Sequence, residues 1–262
     1  MAYSIKDFQH ERDSEWASKI LTNSTTDSIL KFLKEKGLEK VYIYLYESSC
    51  PQLTEKNSPK LFDSLDKVCK SFGLEVRPKI FVTRNYNERI FLRGVNEPFI
   101  VFSSEYLKKL DKDTLTGILA GQVAGIRCKH HTIFYITWGL EFASSFVPIP
   151  FATTIVMSFI NEWKRNRWFT YDKAFALATN NRALSLQQVL INVVPKNILA
   201  QMNSGTRRDV FVAQANRFVS EMNNTQAGIK EVVSRFSEKD WLPERYTELK
   251  KFFDEGRTSN HV

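Results

Sequence analysis

Cys128, His130 and His131 crowd together in "RCKHH", and thiol and imidazole are the side chains that bind zinc. On a helix, however, adjacent residues point about 100° apart, so His130 and His131 cannot both face one tetrahedral ion. The other two histidines, His10 and His261, lie near the termini. Zinc sites take three or four side-chain ligands. No metal or cofactor is expected here. Cys50, just before Pro51, would be a thiol nucleophile only beside a base, and no histidine stands near it in sequence.

Upstream of that cluster, "TGILAGQVAGIR" (116–127) sets glycines at 117, 121 and 125 and alanines at 120 and 124. With Cys128 they form one small-residue face of a helix. Ile118, Leu119, Val123 and Ile126 lie on the other side. Each glycine costs a helix interior roughly 0.8–1 kcal/mol relative to alanine, so something must profit from the space. The glycine spacing is also that of packed membrane helices, but Lys109, Asp111, Lys112 and Asp113 precede it and Arg127 ends it.

The elements that position these residues follow from periodicity. Residues 13–36 carry helical spacing with a break near Asn23 to Thr26. "EKVYIYLYES" (39–48) alternates at period two and is rich in aromatic and β-branched residues, which predicts a strand. "SPKLFDSLDKVCKSFG" has Ser58 and Pro59 in N-cap and N1 order and ends at Gly73, a helix with both end signals. "KIFVT", "RIFLR" and "PFIVFS" predict strands at 79–83, 89–93 and 98–103. Their short connections predict a largely antiparallel sheet. From Glu105 onward the pattern is helical. The class is α+β: a mainly helical chain with one small sheet. Residues 1–74 are expected as a region packed on a core formed by 75–262.

The chain has 262 residues, 43% of them hydrophobic, enough for a sizeable core. Its net charge of +8 favours acidic partners, but the basic residues are scattered and form no nucleic-acid-binding motif. Three widely spaced cysteines point to reduced thiols and a cytoplasmic location, and the first residues contain no apolar signal segment. Thr132 to Ile160 is strongly apolar, interrupted by Pro148 and Pro150. Neither arm reaches the ~20 residues that span a bilayer. Basic residues flank both ends, so a hairpin resting on a membrane surface is one reading. A pair of helices buried in the domain is the expected one.

"EPFIVFSSEYLKKLDKDTLTGILAGQVAGIRCKHH" resembles the core of the M48 family of zinc metallopeptidases, with "IRCKH" (126–130) standing where the tail of the family's HExxH helix belongs. "NEWKRNRWFTYDKAFALAT" resembles the family's second helix through Trp163, Arg165, Asp172 and Ala174. "WLPERYTELKKF" resembles its closing segment through Pro243, Arg245 and Leu249. The resemblance spans roughly residues 75–255 and implies a zincin (gluzincin) fold.

It argues against the activity. HExxH needs two histidines on one helix face for zinc and a glutamate as base, and here it reads Gly121, Gln122, Val123, Ala124, Gly125. The third ligand, four residues before Asp172, is Trp168. The resemblance therefore implies a pseudopeptidase with no catalytic residues, in which Trp168 packs on Gly121 and Gly125 and fills the emptied metal site. Asp172 is expected in a structural ion pair with Arg165 or Arg245. The expected function is recognition of a peptide or protein segment in the former cleft, by strand addition at its edge. Candidate cleft residues are Arg89, Phe91, Phe99, Val101, Gln122, His130, Trp168, Asp172 and Arg245. The rival readings are an enzyme using a recruited metal and a membrane-surface scaffold acting through 132–160.

Overall fold

The second and third helices open at capping side chains. The computed structural model describes residues 2–84, 89–144, 151–191 and 242–256, with isolated positions 213, 217, 220 and 221. After α1 (Ile5–Phe8), His10 accepts at Nδ1 from the Arg12 N–H (3.2 Å) and opens α2 (Glu11–Leu21). Asn23 accepts from the Thr25 N–H (2.9 Å) and opens α3 (Ser24–Glu35), so the break lies where the sequence marks it.

The strand expected at 39–48 is instead a helix, α4 (Leu38–Glu47), entered through Gly37 at φ 64°. Its alternation is real but shares its apolar positions with a helical period. Tyr42 is buried, with ring contacts to Tyr135 (5.3 Å) and Trp138 (4.8 Å), while Tyr46 reaches Phe99 (5.3 Å). Val41, Tyr44 and Leu45 face solvent. Packing at one face overrides the β propensity of these residues.

After β1 (Gln52–Leu53), helix α5 (Pro59–Ser71) keeps both of its end signals. Gly73 takes φ 64°, and the N–H groups of Gly73 and Leu74 return to the carbonyls of Lys70 (3.4 Å) and Cys69 (2.9 Å). That is the reversed hydrogen-bond pair that seals a helix end with glycine.

Strands β2 (Lys79–Thr83), β3 (Ile90–Arg93) and β4 (Phe99–Ser103) join β1 in the order β1-β2-β4-β3. Two of its three described pairings, β1–β2 and β3–β4, are antiparallel as expected, but the central pair, β2 and β4, is parallel, so the sheet is mixed. β3 hairpins back on β4 and β4 then slots beside β2, an order that connection length alone does not reveal. β3 is an edge strand. Both faces of β4 are covered. Ile100 and Phe102 join the core with α5 and α7 residues, and Phe99 and Val101 lie with Ile43 and Tyr46 of α4.

The remaining described helices are α6 (Ser104–Leu107), α7 (Lys112–Arg127), α8 (His130–Ser144), α9 (Phe151–Thr179), α10 (Arg182–Ile191) and α11 (Leu242–Asp254). Every residue of α7 from Gly117 to Ile126 is buried. In the 132–160 segment, Ile133, Ile136, Leu140, Val156 and Ile160 are buried with Ala17 and Ile20 of α2. At Gly139, α8 lies against Leu33 of α3. Pro148, Pro150 and His261 lie outside the described residues. No helix among the described residues is long and apolar enough to cross a membrane.

Candidate functional site

The glycine face of α7 receives α9, and the aromatics that fill it are Phe175 and Tyr171. A Cβ at Gly117 would run into the Phe175 ring, meeting its Cγ at 2.7 Å. A Cβ at Gly125 would meet the Tyr171 hydroxyl oxygen at 2.9 Å, while one at Gly121 would sit in ordinary contact with Tyr171 Cβ at 3.5 Å. Phe175 and Tyr171 are one helical turn apart on an antiparallel neighbour, Phe175 covering Gly117 and Tyr171 covering both Gly121 and Gly125. Trp168 does not fill this space, as the sequence had suggested. It lies one turn before Tyr171, half-buried, and its ring meets that of Tyr171 edge-on at 5.5 Å.

Trp168 instead walls a cleft of about 320 Å³ between β3, α7, α9 and α11. Gly121 and Gln122 form part of its floor. Among the described residues the Gln122 amide makes no hydrogen bond. Arg89 and Phe91 enter from the β3 side, and Asp172 and Arg245 from the helices. Arg245 grips Asp172 with two hydrogen bonds, Nε to Oδ2 (2.8 Å) and Nη2 to Oδ1 (2.7 Å), and both residues are buried. Arg165, the other partner considered, pairs with Glu162 (2.5 Å).

The zinc of the resembled family does not fit this cleft. Gly121 and Gly125 offer no donor atoms, and the Tyr171 ring and hydroxyl take the volume that an imidazole at Gly125 would need. The one carboxylate lining the cleft among the described residues, Asp172, is tied to Arg245, and no described histidine lines it.

His130 lies elsewhere, in a buried network beneath α9. It donates from Nε2 to Asp13 Oδ2 (3.0 Å), its Nδ1 lies 3.3 Å from the Tyr171 hydroxyl, and the Trp163 ring meets it edge-on at 5.2 Å. Thr170 also donates to Asp13 Oδ2 (2.5 Å). Burial by itself pushes the Asp13 carboxyl up. The charge of His130 and hydrogen bonds from His130 and Thr170 outweigh it and hold the group below its ordinary range. Burial, reinforced by the Asp13 charge, pushes the Cys128 thiol up, so it stays protonated. Tyr171 is likewise held protonated, chiefly by burial.

Asp13, Cys128 and His130 are the described residues whose chemistry could hold a cation, their ligand atoms lying within 4.8 Å of one another. The sequence does not pair Asp13 with them. His131, next door, turns away, and burial and the charge of His130 hold its imidazole down at about 4.

The structure thus brings Arg89, Phe91, Gln122, Trp168, Asp172 and Arg245 together. It leaves out Phe99 and Val101, which lie on the sheet face under α4, and His130, which is sealed from the cleft. Gly125 is covered by Tyr171. Sequence reasoning missed Arg93, Arg167, Tyr171 and Phe175. The i, i+4 spacing of the last two aromatics, against glycines four apart, was the signal available for them. No protein-family model matches this chain, and no curated protein and no solved structure matches it.

Proposed function

We propose that this chain is a non-hydrolytic binding protein of metallopeptidase-like design, which holds an extended peptide segment, from a peptide or a partner protein, in the cleft between β3 and α7. The observation that carries the reading is where the cleft lies. It runs from an edge strand to the helix positions where the resembled family keeps its zinc and base, and the Gln122 amide, without a hydrogen bond among the described residues, stands there in place of the base. An edge strand offers unpaired N–H and C=O groups to another chain. Main-chain pairing needs none of the lost catalytic groups.

The test is selection of binders from a random displayed-peptide library on the full chain, followed by affinity measurement on Gln122→Trp, which puts bulk into the cleft. Peptides should lose affinity for the variant while its melting temperature stays within a few degrees. Affinity unchanged in a folded variant would move the binding surface elsewhere. The wild-type protein should leave casein intact, and turnover of casein would sink the reading.

One observation favours a rival, an enzyme using a recruited metal: the group Asp13, Cys128 and His130. All three are buried and none lines the cleft. The membrane-surface reading draws less support, since the described apolar residues of α8 are largely spent on α2 and α3.

A further inference from the structure

We infer that Asp13, Cys128 and His130 form a structural zinc site, separate from the cleft, which pins α2 to the joint between α7 and α8. The site does not depend on the peptide-binding reading.

A carboxylate oxygen of Asp13, the Cys128 sulfur and a ring nitrogen of His130 lie within 4.8 Å of one another, and all three residues are buried. They arrive from different elements: Asp13 from α2, Cys128 from the end of α7 and His130 from the start of α8. On one continuous helix Cys128 and His130 would point about 200° apart. The chain breaks between them at Lys129, which takes φ 59°, and both side chains reach Asp13.

The donors have atoms to give to an ion. Asp13 Oδ1 is buried and has no hydrogen-bond partner among the described residues, a costly state for a carboxylate oxygen in a protein interior. The Cys128 thiol makes no hydrogen bond among the described residues either. His130 Nε2 already faces Asp13 Oδ2 at 3.0 Å. Tetrahedral zinc sets its N···O ligand edges at roughly 3.3 Å and its edges to sulfur at roughly 3.6 Å. The first edge is nearly met, and the sulfur has to close by about 1 Å at most, within reach of a thiol turning about χ1.

The atoms not given to the ion are held from behind. With Nε2 on the metal, the ring proton sits on Nδ1, where the Tyr171 hydroxyl oxygen lies 3.3 Å away to accept it. Thr170 donates to Asp13 Oδ2 (2.5 Å) and steadies the carboxylate. Such partners fix the orientation of metal-binding imidazoles and carboxylates.

Donor chemistry selects the ion. Thiolate, imidazole and carboxylate suit zinc, whereas magnesium and calcium take oxygen ligands. With both oxygens of Asp13 on the ion, three side chains supply four donor atoms. The thiolate and the carboxylate carry two negative charges, which Zn2+ cancels, so the loaded site is neutral where a net charge would be costly. Binding releases the Cys128 proton to solvent and leaves the imidazole neutral. None of the three residues lines the cleft. An ion sealed in this way meets no substrate, and its role is to hold helices together.

The experiment uses the full chain without a histidine tag, stripped with chelator and titrated anaerobically with Co2+, a stand-in for zinc that colours when a thiolate binds it. About one equivalent should raise a thiolate-to-cobalt charge-transfer band in the near ultraviolet, and zinc should then bleach it. Cys128→Ala should abolish the band. The Cys50→Ala/Cys69→Ala variant leaves Cys128 as the sole thiol and should keep the band in full, which makes the distinction even where Cys128→Ala does not fold. X-ray absorption at the zinc edge should fit one sulfur at about 2.3 Å with nitrogen and oxygen neighbours at about 2.0–2.2 Å. Zinc should raise the melting temperature of the stripped protein. No band, a band that survives Cys128→Ala or vanishes with Cys50 and Cys69, or a zinc shell with no sulfur or with two overturns the site. A melting temperature that bound zinc leaves unchanged overturns its structural role.

Discussion

The Tyr171 hydroxyl stands against Gly125, 2.9 Å from where a Cβ on that residue would lie. Two long helices approach each other through this contact and its counterpart at Gly117 and Phe175. Glycine weakens α7 by roughly 1 kcal/mol at each position. The ring area buried on α9 offsets it, since a fully buried aromatic is worth a few kcal/mol.

The three glycines should therefore respond differently to alanine. Gly117→Ala and Gly125→Ala force a methyl against a ring and should destabilise by about 1–3 kcal/mol, the usual cost of overpacking. Gly121→Ala meets only ordinary contact and should be neutral or gain up to ~1 kcal/mol of helix propensity. Urea denaturation of the three variants checks this. Equal effects at all three positions would mean that the helices do not meet in this register.

Tyr171 and Trp168 should also part company. Tyr171→Ala empties a sealed site and should cost about 3–5 kcal/mol. Tyr171→Phe loses only the hydroxyl near His130 and should cost about 0.5–1.5 kcal/mol. Trp168→Ala removes a half-buried wall and should cost clearly less than Tyr171→Ala. If Trp168→Ala proves the more damaging, the indole is the filler of the glycine face after all.

That exchange of Tyr171 for Trp168 marks where the sequence stops being legible. Local signals carry a long way. Asn23, the Ser58–Pro59 pair and Gly73 bound the helices they should, and β2, β3 and β4 lie within a residue of their expected positions. Local signals do not say which turn of α9 meets which glycine, because that depends on how two helices slide and rotate against each other. Counting back from Asp172 reaches Trp168, while the packing chose the residue one turn on. Misreading α4 as a strand had a similar consequence. Without α4 there was nothing to cover one face of the sheet, so Phe99 and Val101 looked available for a ligand. Asp13 meets His130 across 117 residues of sequence, and no periodicity announces such a pair.

The Asp172–Arg245 pair ties α11 to α9, and both partners are buried. Asp172→Ala leaves a buried guanidinium without its carboxylate and should cost about 3–5 kcal/mol. Replacing both residues by leucine removes the stranded charge and should recover much of that loss. A double variant no more stable than Asp172→Ala would mean that the arginine finds water once its partner is gone.

Acid should unfold the protein in two separable stages. In the fold, burial first and the charge of His130 second hold the His131 imidazole at about 4, against a hydrogen bond with the Val95 backbone that pulls it up. An unfolded histidine titrates near ~6.5. The folded value is the lower one, so the fold prefers neutral His131. Its contribution is complete above about pH 6.5 and is lost as pH falls toward 4, by roughly 3 kcal/mol at the lower end. Asp13 follows. Its folded pKa is also depressed, because the charge of His130 and its hydrogen bonds overcome the opposing effect of burial. Its contribution is present above the unfolded value of ~3.9 and disappears only as pH drops further, through the folded value. His131→Gln should flatten the stability profile between about pH 6.5 and 4 and leave the lower stage in place. Asp13→Asn should weaken the protein at neutral pH by about 3–5 kcal/mol, the cost of breaking a buried pair, and remove the lower stage. Urea midpoints across pH 3–8 read both outcomes, and a His131→Gln profile as steep as the wild type would show that another group carries the first stage.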